Sequence, residues 1–266
     1  MCNYYKILVF ICFYYCTGYS QNTEFGNNLT AGKYYNVNGI KIYCEIYGTG
    51  KPVLLLHGNG GTINSLKNII PYFSKRFKVI APDSRAHGKS IDTNDSISFE
   101  QMADDYEVLL QQLKMDSVSV IGWSDGGITA IELALRHPKR IANIVVTGAN
   151  IFSDSTALST ETYEEFKKVY EENKHIDFSK SPKKNEWKVF LLDVFQPKLT
   201  FNQLKNITCP ALIISGDKDD VRLEHTLKIY QNIPKGQLWI LPKCGHATLN
   251  EYTTEFCTKV AAFLLE

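Results

Sequence analysis

One short segment of the chain has the residue types and spacing of a covalent catalyst. Gly122-Trp123-Ser124-Asp125-Gly126 places a serine between two glycines, directly after an apolar run and directly before a helical pattern. In such a strand-to-helix turn the serine sits in a strained backbone conformation, and the glycines let strand and helix approach each other. The motif predicts Ser124 as a nucleophile, the alternative being an ordinary glycine-rich turn.

A serine hydroxyl attacks a carbonyl carbon only when a nearby base accepts its proton. In chains with this motif, the acid and then the base follow in loops after later strands. His246, after the apolar run Leu238 to Leu241, fits the base, whereas the other histidines have neither the order nor the position. The acid is predicted in Asp217-Lys218-Asp219-Asp220. We choose Asp219 because the third residue after Gly216 points back toward the histidine in this architecture. We interpret Asp217 and Asp220 as solvated.

A second glycine-rich loop is predicted to stabilise the negative charge that forms during attack. Leu56-His57-Gly58-Asn59-Gly60-Gly61 follows the first parallel strand. The backbone N–H groups of Asn59 and Asp125 would form the oxyanion hole, each contributing about 3 kcal/mol. The alternative interpretation of this loop is a flexible glycine turn.

Strand-length apolar runs recur along the chain, and most lack the alternation of a half-exposed strand. This is typical of strands buried on both faces of a parallel sheet. An antiparallel hairpin is predicted before them, over Tyr34 to Tyr47, with its turn at Asn38-Gly39. The predicted parallel strands are Val53 to Leu56, Val79 to Ala81, Val118 to Ile121, Ile144 to Val146, Ala211 to Ile214 and Leu238 to Leu241.

Helical patterns alternate with these strands. Ser98 begins a helix whose apolar residues repeat from Phe99 to Leu113, a second helix follows Gly126, and a third closes the chain over Phe256 to Leu264. The alternation predicts an α/β protein, a three-layer sandwich with a mostly parallel sheet.

One interval is too long for a simple crossover between strands. About sixty residues separate the strand ending near Val146 from the one beginning at Ala211, whereas a crossover helix needs about 10 to 15. Charged helical stretches occupy it at Thr162 to Glu172 and Asn185 to Phe195. We predict a small helical cap insertion, about residues 151–205, over the carboxyl edge of the sheet, where α/β folds bind ligands.

Composition and charge exclude several classes of protein. Of the 266 residues, 44% are hydrophobic and 21% are charged, which is typical of a globular chain with a sizeable core. The formal net charge is +1, so we expect no nucleic-acid partner, which clustered Lys and Arg would hold. We predict one domain, residues 21–266, that acts on a small molecule.

The amino terminus has the pattern of a secretory signal peptide. Lys6 gives a weakly positive start, an apolar and aromatic run follows from Ile7 to Cys16, and Gly18 and Ser20 supply small residues before a cleavage site. Even Ile7 to Tyr19 is 13 residues, short of the roughly 20 that span a bilayer, so a retained anchor is the less favoured alternative. We predict export, with residues 1–20 removed and no stable membrane anchor afterwards.

The remaining cysteines do not suggest a disulfide framework. Cys209 and Cys244 would lie roughly 15 Å apart on neighbouring strands at ~3.3 Å per residue, too far for a bridge. We predict mostly free, buried thiols among the four cysteines outside the signal peptide, Cys44, Cys209, Cys244 and Cys257. Because no C-x-x-C, H-E-x-x-H or phosphate-loop motif occurs, we predict no metal site and no cofactor.

Together these motifs resemble the α/β-hydrolase superfamily over essentially the whole chain after the signal peptide. Asp83-Ser84-Arg85-Ala86-His87-Gly88-Lys89-Ser90 is similar to its D-x-R-G-x-G-x-S turn, with Ala86 in place of the usual glycine. The segments 122–130, 148–150 and 209–213 resemble its valacyclovir hydrolase (biphenyl hydrolase-like) branch. That resemblance implies hydrolysis of α-amino acid esters, with Asp125 holding the substrate amine.

The residues by themselves leave two interpretations of Asp125. An acidic side chain in the first turn of a helix gains about 0.3 to 1 kcal/mol from the helix dipole, which alone could justify it. A carboxylate beside an oxyanion hole, however, would oppose the negative charge that builds on the substrate. That position makes better sense if the substrate carries a cationic group.

The predicted activity is cofactor-free hydrolysis of carboxylic esters through an acyl-enzyme intermediate. Ser124 attacks the carbonyl, His246 transfers the proton, Asp219 holds the imidazole, and water then releases the acyl group. Two alternatives remain open. One is carbon–carbon bond or lactone hydrolysis, or cofactor-free perhydrolysis, on the same triad, and the other is a non-catalytic binding protein on this fold.

Overall fold

A computed structural model describes residues 24–266 of the chain. The predicted signal peptide, residues 1–20, and its cleavage site lie outside the described residues. The strands of the described part are β1 (Gly32–Val37), β2 (Ile40–Tyr47), β3 (Lys51–Leu56), β4 (Phe77–Pro82), β5 (Val118–Trp123), β6 (Ile141–Thr147), β7 (Ala211–Gly216) and β8 (Gly236–Leu241). The helices are α1 (Ile70–Phe73), α2 (Phe99–Gln112), α3 (Asp125–Arg136), α4 (Thr160–Asn173), α5 (Lys184–Phe195), α6 (Phe201–Leu204), α7 (Leu223–Asn232), α8 (Thr248–Glu251) and α9 (Thr253–Phe263).

These strands form one mostly parallel sheet in the order β1-β2-β4-β3-β5-β6-β7-β8. β1 and β2 make the predicted antiparallel hairpin, with Asn38 and Gly39 at φ values of 41° and 84° in its turn. Asn and Gly adopt this left-handed conformation more readily than other residues. β2 also pairs antiparallel with β4, and every pair from β4 to β8 is parallel. The predicted fold class is confirmed.

Each central strand buries both of its faces. In β3, Leu54 and Leu56 pack in the core cluster that contains α2 and α3, while Val53 and Leu55 pack in the cluster that contains α1 and α9. Successive side chains of a strand point to opposite faces, so apolar residues are needed at every position. This explains why the apolar runs show no alternation, and it gives the three layers of the sandwich.

The interval predicted to form the cap contains α4, α5 and α6, between β6 and β7. α4 begins at Thr160, two residues before the predicted start, because the Ser159 side chain accepts a hydrogen bond from the Thr162 backbone N–H at 3.2 Å. α4 has no buried residue, whereas α5 buries three. α5 is therefore the more firmly packed of these two cap helices.

A buried ion-pair network anchors α5 to the rest of the fold. Lys188 Nζ lies 2.9 Å from Asp92 Oδ2 and 2.9 Å from the carbonyl oxygen of Asn94. Asp92 also pairs with Arg85 at 3.2 Å, and Arg85 binds Asp105 at 2.6 Å. Breaking a buried ion pair leaves an uncompensated charge, which is strongly destabilising. The network therefore fixes the position of α5 over the carboxyl edge of the sheet.

The cysteines of the described residues are free and buried, as predicted: Cys44, Cys209, Cys244 and Cys257. Within residues 24–266, no helix combines the length and the apolar character needed to cross a membrane. In the same part of the chain, no group of three or more His, Cys, Asp or Glu side chains is arranged to hold a metal ion.

Candidate active site

The turn between β5 and α3 has the strained geometry that its sequence predicts. Ser124 has φ 56° and ψ −120°, an unfavourable conformation for a residue with a side chain. A Cβ atom on Gly122 would collide with the carbonyl oxygen of Gly126, and one on Gly126 would collide with that of Leu56. Both glycines are therefore required, because strand, turn and helix backbones approach too closely for any side chain.

His246 lies between Ser124 and Asp219. Its Nε2 is 2.9 Å from Ser124 Oγ, and its Nδ1 is 2.7 Å from Asp219 Oδ1. The carboxylate contact places a proton on Nδ1, which leaves the lone pair of Nε2 facing the serine hydroxyl. The structure thus brings together the three residues predicted as nucleophile, base and acid.

Of the three aspartates in the loop after β7, Asp219 is the one that contacts the imidazole. Its side chain is fully buried, and it also accepts hydrogen bonds from the Ser215 hydroxyl at 3.2 Å and the Val221 backbone N–H at 3.1 Å. Asp217 instead accepts a hydrogen bond from the Cys244 backbone N–H at 3.2 Å. The geometry favours the predicted choice of Asp219 over its neighbours.

The surroundings of His246 favour its protonated form. Burial alone would lower the pKa of His246, but the hydrogen bond to Asp219 and the negative charges of Asp219 and Asp220 outweigh burial and raise it. An imidazole that is stabilised as a cation is suited to accept a proton from a hydroxyl. The indole N–H of Trp123 donates to the His246 carbonyl oxygen at 3.0 Å and so helps to hold the loop.

The loop predicted to form the oxyanion hole passes beside Ser124. β3 and β5 are neighbours in the sheet, and a Cβ atom on Gly58 would lie 3.0 Å from that of Ser124, so the loop after β3 passes close to the serine. Within the described part of the chain, neither the Asn59 nor the Asp125 backbone N–H donates a hydrogen bond to another backbone group outside the regular helix and strand pairing. Both donors are thus available to a substrate oxygen.

A cavity of about 460 Å³ contains Ser124 and His246 in its wall and is bordered by cap residues. Among residues 24–266, no Lys or Arg lines it. Negative charge in a confined cavity attracts cations and repels anions. Its charged lining consists of five acidic residues, Asp125, Glu161, Glu165, Asp193 and Asp220.

Two of these carboxyl groups touch each other. Asp125 is 2% exposed, its Oδ2 accepts a hydrogen bond from Asn59 Nδ2 at 2.9 Å, and its carboxyl group contacts that of Asp193. The pKa of Asp193 is raised well above its ordinary value, first by burial and then by the charge of Asp125. Sequence analysis does not identify Asp193, because a helical pattern in a cap does not indicate which face turns toward Ser124.

Comparison with known proteins identifies the family. Residues 51–177 match the family model described as alpha/beta hydrolase fold. Serine hydrolase BPHL from Homo sapiens is 30% identical over 263 residues, which cover 90% of this chain and 88% of that protein. The chain belongs to the α/β-hydrolase family. It is a hydrolytic enzyme, and the predicted resemblance to the biphenyl hydrolase-like branch is confirmed.

Other proteins that are similar to this α/β hydrolase are named for different substrates. The 2-hydroxy-6-oxo-6-phenylhexa-2,4-dienoate hydrolase from Burkholderia cepacia is 24% identical over 282 residues, covering 88% of this chain and 96% of that protein. The structure of a meta-cleavage product hydrolase from Pseudomonas fluorescens IP01 matches with a TM-score of 0.72 at 24% identity, covering 89% and 98% of the two chains. These similarities establish a shared fold, while the substrate depends on the residues of the cavity.

Proposed function

We propose that this α/β hydrolase cleaves carboxylic esters through an acyl-enzyme intermediate. The observation that carries the proposal is the single imidazole of His246, which has Ser124 Oγ on one nitrogen and Asp219 on the other, at the wall of a cavity. His246 Nε2 accepts the serine proton as Oγ attacks the ester carbonyl. Asp219 stabilises the imidazolium that results.

The tetrahedral adduct formed by this attack then leads to products in two stages, formation of the acyl-enzyme and its hydrolysis. The imidazolium gives its proton to the departing alkoxide, which leaves as an alcohol and leaves the acyl group on Ser124. A water molecule next gives a proton to His246 and attacks the acyl carbon, so that the acid is released and the serine recovers its hydrogen. The N–H groups of Asn59 and Asp125 stabilise the oxyanion in both stages, by about 3 kcal/mol each.

The charge of the cavity favours esters over the substrate type of the Burkholderia cepacia relative. That relative is named for a dienoate, which is a carboxylate anion. Of the residues that the structure describes, five acidic side chains and no Lys or Arg line the cavity, and this lining would repel such an anion. Carbon–carbon bond hydrolysis of anionic compounds is therefore the less favoured activity.

Asp125 adds a substrate preference to the proposal. Its carboxylate directly follows the nucleophile and would oppose the oxyanion unless a cation offset it. The protonated α-amine of an aminoacyl ester supplies that cation. At an effective dielectric constant near 20, an ion pair about 4 Å apart is worth roughly 4 kcal/mol before the cost of desolvation is subtracted.

Asp125→Asn tests this preference with two esters that differ only by the amine, phenylalanine methyl ester and methyl 3-phenylpropanoate. The wild type is expected to favour the aminoacyl ester by about ten- to a hundredfold in kcat/KM. The variant is expected to lose most of this preference, while turnover of the neutral ester stays level or rises, because the backbone N–H of residue 125 remains.

Two outcomes would contradict the amine preference. One is a wild type that treats both esters alike, and the other is a variant that loses both activities equally. In either case Asp125 would be a helix-terminus residue. Turnover of the neutral ester by the wild type would still test the esterase proposal separately.

We also propose that the chain is exported and that its mature form begins at Gln21. The apolar run is too short to span a bilayer, and Gly18 and Ser20 are the small residues that a signal peptidase reads. Intact-mass measurement of protein from the native host should give the mass of residues 21–266. A soluble cytoplasmic protein that retains Met1 would refute export.

A further inference from the structure

The position of Asp193 is set by contacts between the cap and the turn that carries Ser124 and Asp125. The side-chain amide of Asn59 donates one hydrogen bond to Asp125 Oδ2 at 2.9 Å and another to the Val189 carbonyl oxygen at 3.1 Å. Val189 and Asp193 are four residues apart on α5, so they lie on the same face of the helix. Lys188, held by Asp92, fixes this part of α5. Asp193 is therefore presented to Asp125 by a well-anchored helix.

Among the described residues that line the cavity, no Lys or Arg offsets the charge of the Asp125 and Asp193 carboxyl groups. Glu161 and Glu165 on α4 and Asp220 after β7 add negative charge to the wall. His246 faces the pair from the loop after β8, but it accepts the serine proton as a neutral imidazole. The remaining group that interacts with Asp125 is His87, where burial lowers the pKa to about 4, so it is neutral near pH 7.

Two carboxyl groups in contact cannot both ionise at low cost without a cation. A carboxyl pair of this kind shares one proton when no cation is bound, and it titrates as a unit. An ammonium group has three N–H donors and one positive charge, so it can donate to both carboxylates at once and offset their repulsion. The pair therefore suits a primary amine better than a single aspartate does.

We propose that Asp193 is a specificity-determining residue, which supplies the second carboxylate of an ammonium-binding pair with Asp125. The protonated amine of an α-aminoacyl ester enters between the two side chains, and the proton that they share leaves to solvent. The O–H bond of the shared proton breaks as that proton passes to water, no other covalent bond changes, and the charge balances, since one cation replaces one proton. The inference rests on the proposed function and adds a cap residue to it.

Asp193→Asn is the decisive variant, because the amide is similar in size and can donate a hydrogen bond to Asp125. Its kcat/KM ratio for phenylalanine methyl ester over methyl 3-phenylpropanoate should fall at least tenfold below that of the wild type, mainly through a higher KM for the aminoacyl ester. Glu161→Gln is the matched control. It removes one carboxylate from the same cavity wall but not from the pair, so the ratio should fall less than threefold.

Equal losses of preference in the two variants would overturn the proposal, because a general negative field would then explain the selectivity. An Asp193→Asn variant that loses activity toward both esters equally would overturn it too, since Asp193 would then have a purely structural role. If the wild type prefers the aminoacyl ester and Asp125→Asn abolishes that preference while Asp193→Asn does not, the proposed role of Asp193 is wrong and the proposed amine preference stands. If the wild type has no preference, the proposed amine specificity itself fails.

Proton release gives a readout that a structural role would not produce. Phenylalanine methyl ester is titrated calorimetrically into Ser124→Ala combined with His246→Ala, so that the imidazole, whose pKa is raised, contributes no proton. The titration uses two buffers of different ionisation enthalpy near pH 5.5, well below the α-amine pKa of about 7.7. Binding should release up to one proton per ester. When Asp193→Asn is added to this double variant, the release should be lost, and an unchanged release would overturn the shared-proton pair.

Discussion

Ser124→Ala and His246→Ala are each expected to lower kcat by several orders of magnitude, and the double variant is expected to lose little more. The two side chains are hydrogen bonded at 2.9 Å and act in one step, so removing either disables both. In a serine protease, such losses reach about 10⁶-fold and do not add. The measurement is kcat for methyl 3-phenylpropanoate in the three variants.

Ser153→Ala is the matched control for this series. Ser153 also lines the cavity, but His246 hydrogen bonds to Ser124 rather than to it. Removing its hydroxyl should change kcat less than about threefold, as for residues outside the acting unit. Losses at Ser124 and His246 that simply multiply in the double variant would contradict the assignment, because independent groups would then be acting.

Asp219→Asn is expected to lower kcat by about 10⁴-fold, by analogy with the serine proteases. The carboxylate accepts the Nδ1 proton at 2.7 Å, whereas an amide can donate to that nitrogen and so favour the tautomer with its proton on Nε2. His246 then presents a hydrogen rather than a lone pair to the serine. The measurement is kcat together with the pH profile of kcat/KM.

The pH profile has a direction that follows from the site. Asp219 raises the pKa of His246 against the effect of burial, so its loss should lower that pKa and move the acidic limb of activity to lower pH. Asp217→Asn is the control, since it makes the same change in the same loop without touching the imidazole. If Asp217→Asn costs more activity than Asp219→Asn, the choice of acid is wrong.

Much of the candidate site could be predicted because its parts are encoded locally. Gly122 and Gly126 are required by backbone contacts within one turn, so the motif itself specifies the strained serine. Asp219 and His246 follow the ends of adjacent parallel strands, whose carboxyl ends meet at one edge of the sheet. Position in the strand order was therefore sufficient to bring them near Ser124.

Asp193 could not be predicted because its position depends on contacts distant in sequence. The helical pattern of α5 indicates spacing along the helix, but the face that turns to the cavity is fixed by Lys188 and Asp92, which are 96 residues apart. No local signal in either segment encodes that pairing. The acidic character of the cavity emerges only when cap and sheet are assembled.

Ala86 departs from the superfamily turn pattern, and its backbone conformation and contacts show how the turn is kept. It stands where the superfamily turn usually has glycine, and its φ is 66°, in the left-handed region that glycine adopts without steric cost. The carbonyl oxygen of Ala86 accepts a hydrogen bond from Asn185 of α5. The chain thus keeps the turn with a less suitable residue, and the same turn contacts the cap.

Covalent labelling by a fluorophosphonate tests most directly that Ser124 is an activated nucleophile. Ser124 Oγ would displace fluoride at phosphorus while His246 accepts the proton. Mass spectrometry of the labelled protein should find one adduct per chain, on the peptide that contains Ser124. The adduct should be absent from Ser124→Ala and should form far more slowly in His246→Ala. A wild-type protein that remains unlabelled, or that carries its adduct on another residue, would contradict the account.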